Sequence, residues 1–233
     1  MNVCFCTLAI HAPYRRRARR LIGDMCGVPW VVLTDEPDNF EGLAVRAVRH
    51  VAVGPMARDF LVNPALAGNT TGLPAYHDKR FVLQEALKDF DTAIFMDADT
   101  RLRSLPRLPQ FRPGIAVTKV LRGSIAEHLS RWGSERRPVF EQLALHLGGG
   151  VEMLERVRWF NEALFAVTKD GNENRFFEAW GRAAEFLQSK GVFTGEGGVI
   201  GLAAAYAGWT VDYDSLDKLA ASSTHEGRGP KGE

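Results

Sequence analysis

The chain has 233 residues, of which 45% are hydrophobic and 24% are charged, a composition typical of one large globular α/β domain. Its 29 lysines and arginines nearly balance 28 aspartates and glutamates, so the formal charge of +1 gives no broad attraction to nucleic acid or to an anionic membrane. No apolar run approaches the ~20 residues that a membrane helix needs. We therefore expect a protein with no nucleic-acid partner and no membrane anchor.

The cysteines give a second indication of the cellular setting. Cys4, Cys6 and Cys26 are an odd number and lack the paired clusters of a structural zinc site. Thiols of this kind are typical of a reducing compartment, and the opening residues lack the features of a signal peptide. The sequence therefore predicts a cytoplasmic protein without a disulfide framework.

The first half of the chain alternates strand and helix patterns. Residues 3–10 predict a buried strand, residues 14–26 a helix, residues 29–33 a second strand that ends in a polar turn, and residues 43–53 a weaker strand. Residues 54–76 lose all periodicity and suit an irregular excursion such as an active-site loop. The helix at residues 14–26 carries five arginines between its apolar positions, and we expect them to form a solvated face: Arg15, Arg16, Arg17, Arg19 and Arg20.

The second half continues the alternation. Helices are predicted at residues 78–90, 173–190 and 199–206, and strands at 92–96, 115–120 and 159–168, with a polar stretch after residue 120. The pattern indicates an α/β fold with a mostly parallel sheet that is flanked by helices on both faces. We expect a single domain over residues 1–221, and a loosely ordered Gly-rich tail over 222–233 that is a candidate lid for the functional site.

The sharpest local feature is a pair of carboxylates where the strand at residues 92–96 ends. Asp97 and Asp99 are separated by one residue, so their side chains start on the same side of the chain and can converge. A hard divalent cation such as Mg²⁺ or Mn²⁺ would remove their repulsion and leave coordination positions for a diphosphate. The structural alternative is a polar turn in which backbone amides bind both carboxylates.

Two enzyme classes place such a pair at the end of a strand. In haloacid-dehalogenase-type phosphatases the motif lies near the N-terminus, and a threonine follows two residues after the second aspartate. Here Arg101 occupies that position, Thr100 comes one residue too early, and about ninety residues of strand and helix come first. The spacing therefore excludes this class.

Several segments resemble the other class, the metal-dependent glycosyltransferases of the GT-A fold, and above all the families that include glycogenin and the blood-group and α-1,3-galactosyltransferases. Residues 95–100 look like their donor-site motif, and residues 34–37 look like the Thr-Asp turn after their second strand. Residues 159–165 are similar to the aromatic-Asn strand of their sugar site, and residues 195–201 stand where they carry an acidic pair. The resemblance spans residues 3–231, and only the Asp-x-Asp segment is strongly specific.

This resemblance implies a Rossmann-like GT-A fold, a nucleoside diphosphate sugar donor with UDP as the expected nucleotide, and a carbohydrate or other hydroxyl acceptor. It also implies Mn²⁺ or Mg²⁺ as cofactor and transfer with retention of configuration. Asp97, Asp99 and His225 would be the metal ligands, and Glu196, with Glu162 as second choice, would stabilise or attack the cationic sugar carbon. The implied donor-binding residues are Thr7, Ala9, Tyr14, Asp35, Lys79, Asp97, Asn161 and Lys231.

Several of these positions keep a structural alternative. His225 and Lys231 have the spacing of the family's late His and Lys, but the glycines are shifted and the Pro-Trp is missing, so His225 is either a ligand or part of a flexible tail. Asp35 either binds the base or ribose or merely ends its turn. Glu196 either takes part in chemistry or caps a helix, and Trp159 either stacks on a sugar or belongs to the core.

Two other functions fit parts of the pattern. A nucleotidyltransferase uses a similar metal site, but it is expected to carry a Gly-rich phosphate loop after the first strand, and residues 9–13 contain no glycine. A non-catalytic protein that binds nucleotide sugars or carbohydrate would need the donor site alone.

Overall fold

The computed structural model describes residues 2–25, 27–51, 76–118, 123–192 and 195–225. Within these ranges helices and strands alternate along most of the chain. The strands are β1 Val3–Ala9, β2 Trp30–Thr34, β3 Val45–Arg49, β4 Thr92–Met96, β5 Thr100–Leu102, β6 Gly114–Val117, β7 Leu164–Thr168, β8 Val211–Asp212 and β9 Ser223–His225. The helices are α1 Ala12–Asp24, α2 Lys79–Ala86, α3 Ile125–Trp132, α4 Arg137–His146, α5 Met153–Arg156, α6 Glu173–Ser189, α7 Glu196–Tyr206 and α8 Asp217–Ala221.

Seven of these strands form one sheet in the order β3-β2-β1-β4-β7-β6-β8. All neighbouring strands are parallel except β7, which runs antiparallel to both β4 and β6. The mixed α/β fold with a mostly parallel sheet flanked by helices is therefore confirmed. A separate two-stranded sheet pairs β5 with β9.

Both faces of the inner part of the sheet are buried, which explains why β2, β4, β6 and β7 are nearly continuous apolar runs rather than alternating ones. On β1, Cys4 and Cys6 pack into the core on one face, whereas Phe5 and Ala9 pack into the core on the other. The thiols of Cys4 and Cys6 are free and buried, and burial raises their pKa, so these side chains act as small apolar groups.

Two segments differ from the expected elements. The polar stretch after residue 120 contains α3, α4 and α5; α3 begins at a capping box in which Ser124 and Glu127 each bind the other's backbone N–H. The strand expected over 159–168 begins only at Leu164. In the residues before it, the side chain of Asn161 accepts from the backbone N–H of Ala163 and forms a local turn.

The arginine-rich face of α1 is not uniformly solvated. Arg15 is 7% exposed and forms ion pairs with the carboxylates of Asp35 and Glu36 beyond β2. The expectation of a solvated face is therefore wrong for Arg15, because helical periodicity does not show that the adjacent strand end supplies two carboxylates. Most of the excursion expected at residues 54–76 lies outside the described residues. No helix within the described ranges is long and apolar enough to span a bilayer.

Candidate functional site

The connectivity of the sheet locates the site. From β1 the chain moves first to β2 and β3 on one side and then to β4 on the other, so the direction of winding reverses between β1 and β4. In open α/β sheets, ligands bind at the carboxyl ends of the strands at such a point. His11 follows β1 there, and Asp97 follows β4 there.

The Asp-x-Asp segment forms a tight turn at the carboxyl end of β4. The N–H of Asp97 donates to the carbonyl of Ala163 over 2.9 Å, and the N–H of Thr100 donates to the carbonyl of Asp97, also over 2.9 Å. Both Asp97 and Asp99 are partly exposed, whereas the strand before them is fully buried. The turn therefore brings two carboxylates to the surface at the point where ligands are expected.

Lys79, the first residue of α2, joins the groups of this site. Its side chain is buried, with Nζ 2.9 Å from Oδ1 of Asp97 and 3.5 Å from Oε1 of Glu196. Nζ also donates to the carbonyl of Glu162 over 3.0 Å and lies 5.0 Å from the ring centroid of Phe95. Burial alone lowers the pKa of Lys79, but the charges of Asp97 and Glu196 outweigh it and raise that pKa above its usual value.

Glu196 is the first residue of α7 and is 7% exposed. Two glycines beside it allow the helix to begin close to the sheet. Gly195 has a positive φ of 105°, and a Cβ on Gly197 would lie 2.4 Å from the carbonyl oxygen of Phe160. The helix expected over residues 199–206 therefore begins three residues earlier, at Glu196, and Gly197 lies within it against the backbone of Phe160.

Trp159 occupies the space beneath these glycines and is 5% exposed. The ring of His128 stacks on the ring of Trp159, with centroids 3.7 Å apart. The ring of Phe140 is tilted against it, with centroids 5.9 Å apart. Of the two roles considered for Trp159, the structure shows a core side chain.

A second cluster lies at the carboxyl ends of β1 and β2. Asp35 accepts from Nη1 of Arg15 over 2.6 Å and from the backbone N–H of His11 over 3.1 Å. Nη2 of Arg15 also lies 3.0 Å from Glu36 Oε2. Partial burial raises the pKa of Asp35, but the bonds from Arg15 and His11 outweigh it and hold the pKa below its usual value.

Asn161, expected in the sugar subsite, lies between β6 and β7. Its Nδ2 donates to Oγ1 of Thr118 over 3.3 Å, and its Oδ1 accepts from Ala163. Asn161 is partly exposed, and it binds the N–H of Ala163, the residue whose carbonyl accepts from Asp97, so it lies near the Asp-x-Asp turn.

The remaining expected donor contacts fall into three groups. Thr7 and Ala9 lie within β1 and are fully buried. Tyr14 is 41% exposed, with the guanidinium of Arg17 5.7 Å from its ring centroid. Lys231 lies outside the described residues.

Part of the tail is a strand. In the β5–β9 pair, His225 is the register partner of Thr100, the residue that follows Asp99. The backbone of His225 therefore lies beside the Asp-x-Asp turn, although the chain positions are 125 residues apart. The tail beyond His225 is not part of the described chain.

The carboxylate oxygens of the Asp-x-Asp turn are chemically suited to a hard divalent cation. Asp97 and Asp99 supply partly exposed carboxylate oxygens, which Mg²⁺ and Mn²⁺ prefer. Within the described side chains, no group of three or more His, Cys, Asp or Glu could hold a metal ion. His225, whose backbone pairs with that of Thr100, stays a predicted third ligand.

Sequence reasoning missed two residues of the site, Arg15 and His11. Arg15 stands in a run of arginines, and nothing in the run distinguishes the one that is buried. The backbone N–H of His11 donates to Asp35, which is 24 positions away, so no local pattern marks His11.

No protein-family model matches the chain, and no curated protein matches it. Among solved structures, the apo form of mouse xyloside xylosyltransferase 1 aligns with a TM-score of 0.46 at 10% identity, covering 91% of this chain and 85% of that chain. The two chains therefore align over most of their lengths at low sequence identity.

Proposed function

We propose that the protein is a glycosyltransferase that moves a sugar from a nucleoside diphosphate donor, with UDP as the preferred nucleotide, to a hydroxyl acceptor. One observation carries the proposal. The buried ammonium group of Lys79 pairs with the carboxylates of both Asp97 and Glu196. These groups lie at the carboxyl ends of the strands, where open α/β sheets bind their ligands. This arrangement supports the proposal because one site would then hold groups for both halves of a glycosyl donor.

The chemistry of the transfer requires two kinds of charge. As the bond between sugar and diphosphate breaks, negative charge develops on the leaving oxygens and positive charge on the sugar carbon. Glu196 supplies a carboxylate for the sugar carbon, and Lys79 holds that carboxylate in place. Glu162 is the second candidate, because its backbone carbonyl binds the same ammonium group.

Asp97 and Asp99, with His225 as a third candidate ligand, would hold Mn²⁺ or Mg²⁺. The ion would supply positive charge beside the diphosphate. The ion pair with the buried Lys79 fixes the orientation of the Asp97 carboxylate, so the turn is organised by the chain itself.

The test is a thermal-shift panel of UDP, other nucleoside diphosphates, nucleoside triphosphates and UDP-sugars, each with Mn²⁺ and with EDTA. A ligand that binds only the folded protein raises the melting temperature as its saturation increases. We expect shifts with UDP and UDP-sugars in Mn²⁺, smaller shifts in EDTA, and loss of that difference in Asp99→Asn. The exposed Asp38 in the turn after β2 provides a matched control, Asp38→Asn, which should behave as wild type.

Product analysis separates the rival functions. A glycosyltransferase releases UDP from a UDP-sugar, slowly with water or faster with an acceptor. A nucleotidyltransferase would prefer a triphosphate and release pyrophosphate, and a non-catalytic binding protein would release nothing. Equal UDP binding in Mn²⁺ and EDTA would reject the metal site, and no shift with any nucleotide would reject the proposed donor.

A further inference from the structure

His11 has an unusual backbone conformation for a residue with a side chain. Its φ is 71° and its ψ is 152°, and it is the only non-glycine residue of the described ranges with a positive φ. This region of conformational space is essentially restricted to glycine, and other residues are held there only when the surrounding structure compensates for the strain. Such residues cluster at functional sites.

The compensation comes from a closed ring of interactions. The N–H of His11 donates to Oδ2 of Asp35, and Oδ1 of Asp35 accepts from Nη1 of Arg15. The backbone N–H of Arg15 in turn donates to the carbonyl of His11 over 3.0 Å. Asp35 therefore binds the backbone N–H of His11, and Arg15 binds its backbone carbonyl.

Both carboxylate oxygens of Asp35 are engaged within this ring. Oδ2 binds the backbone of His11 and Oδ1 binds Arg15, and Arg49 donates to the carbonyl of Asp35 over 3.1 Å. A carboxylate bound in this way is better suited to fix its neighbours than to bind a base or ribose directly.

Unlike the carboxylate of Asp35, the imidazole of His11 has an unsatisfied hydrogen-bonding atom. Its Nε2 is buried and has no hydrogen-bond partner among the described residues. Buried polar nitrogens in folded proteins nearly always have a partner, so one without a partner calls for an explanation. His11 lies at the carboxyl end of β1, at the point where the winding of the sheet reverses and a ligand is expected.

We propose that Asp35 and Arg15 are positioning residues that hold His11 in its strained conformation, and that Nε2 of His11 hydrogen-bonds to the bound nucleotide. This inference rests on the proposed donor class. It assigns the contact to His11 and changes the role of Asp35 from ligand contact to support.

The first arm of the test measures stability without any ligand. His11→Gly removes the strain, so Asp35→Asn should lower the melting temperature less in a His11→Gly background than in the wild-type background. Equal losses in the two backgrounds would show that Asp35 does not support His11 and would overturn the positioning role. Arg15→Met should likewise lower the melting temperature less in the His11→Gly background than in the wild-type background. Arg16 is an exposed arginine of the same helix, so Arg16→Met serves as the matched control.

The second arm measures UDP affinity by calorimetry for wild type, His11→Gly, Asp35→Asn and the double variant. Loss of one hydrogen bond predicts affinity lower by about 5- to 10-fold for His11→Gly. Asp35→Asn should weaken binding in the wild-type background and add almost nothing in the His11→Gly background. A direct contact from Asp35 would instead give additive losses, and unchanged affinity of His11→Gly would overturn the contact from His11.

A third variant, His11→Asn, separates the ring from the backbone. Asparagine keeps a polar side chain but, like histidine, is strained at this φ and ψ. We expect it to melt below His11→Gly and to bind UDP with an affinity between those of His11→Gly and wild type. If wild type binds no nucleoside diphosphate, both the proposed function and the contact from His11 are overturned. The melting temperatures still test, independently of any ligand, whether Asp35 stabilises the conformation of His11.

Discussion

The ammonium of Lys79 lies 2.9 Å from the carboxylate of Asp97, and the Lys79 side chain is only 5% exposed. A charge at this depth is tolerated because partners surround it. Asp97 and Glu196 come from different parts of the chain, and the same ammonium binds both. The integrity of the site therefore depends on one lysine.

Replacing Lys79 with methionine should be strongly destabilising. The change removes the cation and leaves carboxylates beside an apolar side chain, a situation that typically costs about 3–5 kcal/mol. Lys79→Met/Glu196→Gln should recover part of the loss because one uncompensated charge is removed. Urea unfolding measures the free energy of unfolding of wild type, Lys79→Met and the double variant. Lys88→Met provides the control, because Lys88 pairs with Glu85 on the surface; it should change the free energy of unfolding by less than about 1 kcal/mol.

Glu196→Gln distinguishes chemistry from helix capping. If the charge of Glu196 stabilises the sugar cation, turnover should fall by orders of magnitude while UDP affinity remains close to that of wild type. If Glu196 serves only its ion pair with Lys79 and the N-terminus of α7, turnover should persist and only the stability should fall. Glu173→Gln is the matched control, because Glu173 is the first residue of α6 and binds the N–H of Gly171.

The close approach of α7 to the residues before β7 predicts a steric effect at Gly197. A Cβ there would lie 2.4 Å from the carbonyl oxygen of Phe160 and 2.4 Å from Nε1 of Trp159, so Gly197→Ala should destabilise by about 1–3 kcal/mol. Gly181→Ala, within α6, meets only Arg80 Nε at 3.8 Å and should be neutral or stabilising by up to about 1 kcal/mol. Melting temperatures of both variants test the pair, and equal effects would contradict the packing of α7.

The pairing of β9 with β5 predicts two outcomes for truncation. A chain that ends at His225 keeps the strand beside the Asp-x-Asp turn, whereas a chain that ends at Ser222 loses it. Both should fold, because the pair lies outside the main sheet. We expect the shorter chain to bind UDP in Mn²⁺ more weakly than the longer one, as measured by calorimetry. Equal affinities of the two truncated chains would show that β9 does not contribute to the donor site.

His77 predicts a pH dependence of stability. Its Nδ1 accepts from Nε1 of Trp180 over 3.1 Å, and burial lowers its pKa from 6.5 to about 3. The unfolded chain therefore gains a proton near pH 6.5 while the folded chain does not. The stabilisation is fully present above pH 6.5 and is lost as the pH falls toward 3, by up to about 1.4 kcal/mol per pH unit.

Urea unfolding at pH 7.5, 6 and 5 measures that slope. His77→Asn keeps an acceptor for Trp180 and removes the titrating group, so its slope should be smaller than that of wild type. His146→Asn, an exposed histidine in α4, should leave the slope unchanged. An identical slope for His77→Asn and wild type would contradict the neutral, buried state of His77.

The sequence by itself determined the features that depend on neighbouring residues. The apolar run of β4, the Asp97 and Asp99 pair after it, and the alternation of strand and helix were all predicted, because burial on both faces and helical periodicity leave local patterns. The helices α3 and α4 were missed, since their short apolar faces stand among charged residues that gave the stretch a polar average.

The tertiary structure decided which of these groups meet. Lys79 and Glu196 are 117 positions apart, and no pattern in the sequence relates them. One buried arginine of five on α1, the strain at His11 and the pairing of β9 beside Asp99 likewise depend on contacts between distant segments. Local periodicity reports how a residue is buried by its own element, whereas ion pairs and backbone strain are set by the neighbours that folding brings to it.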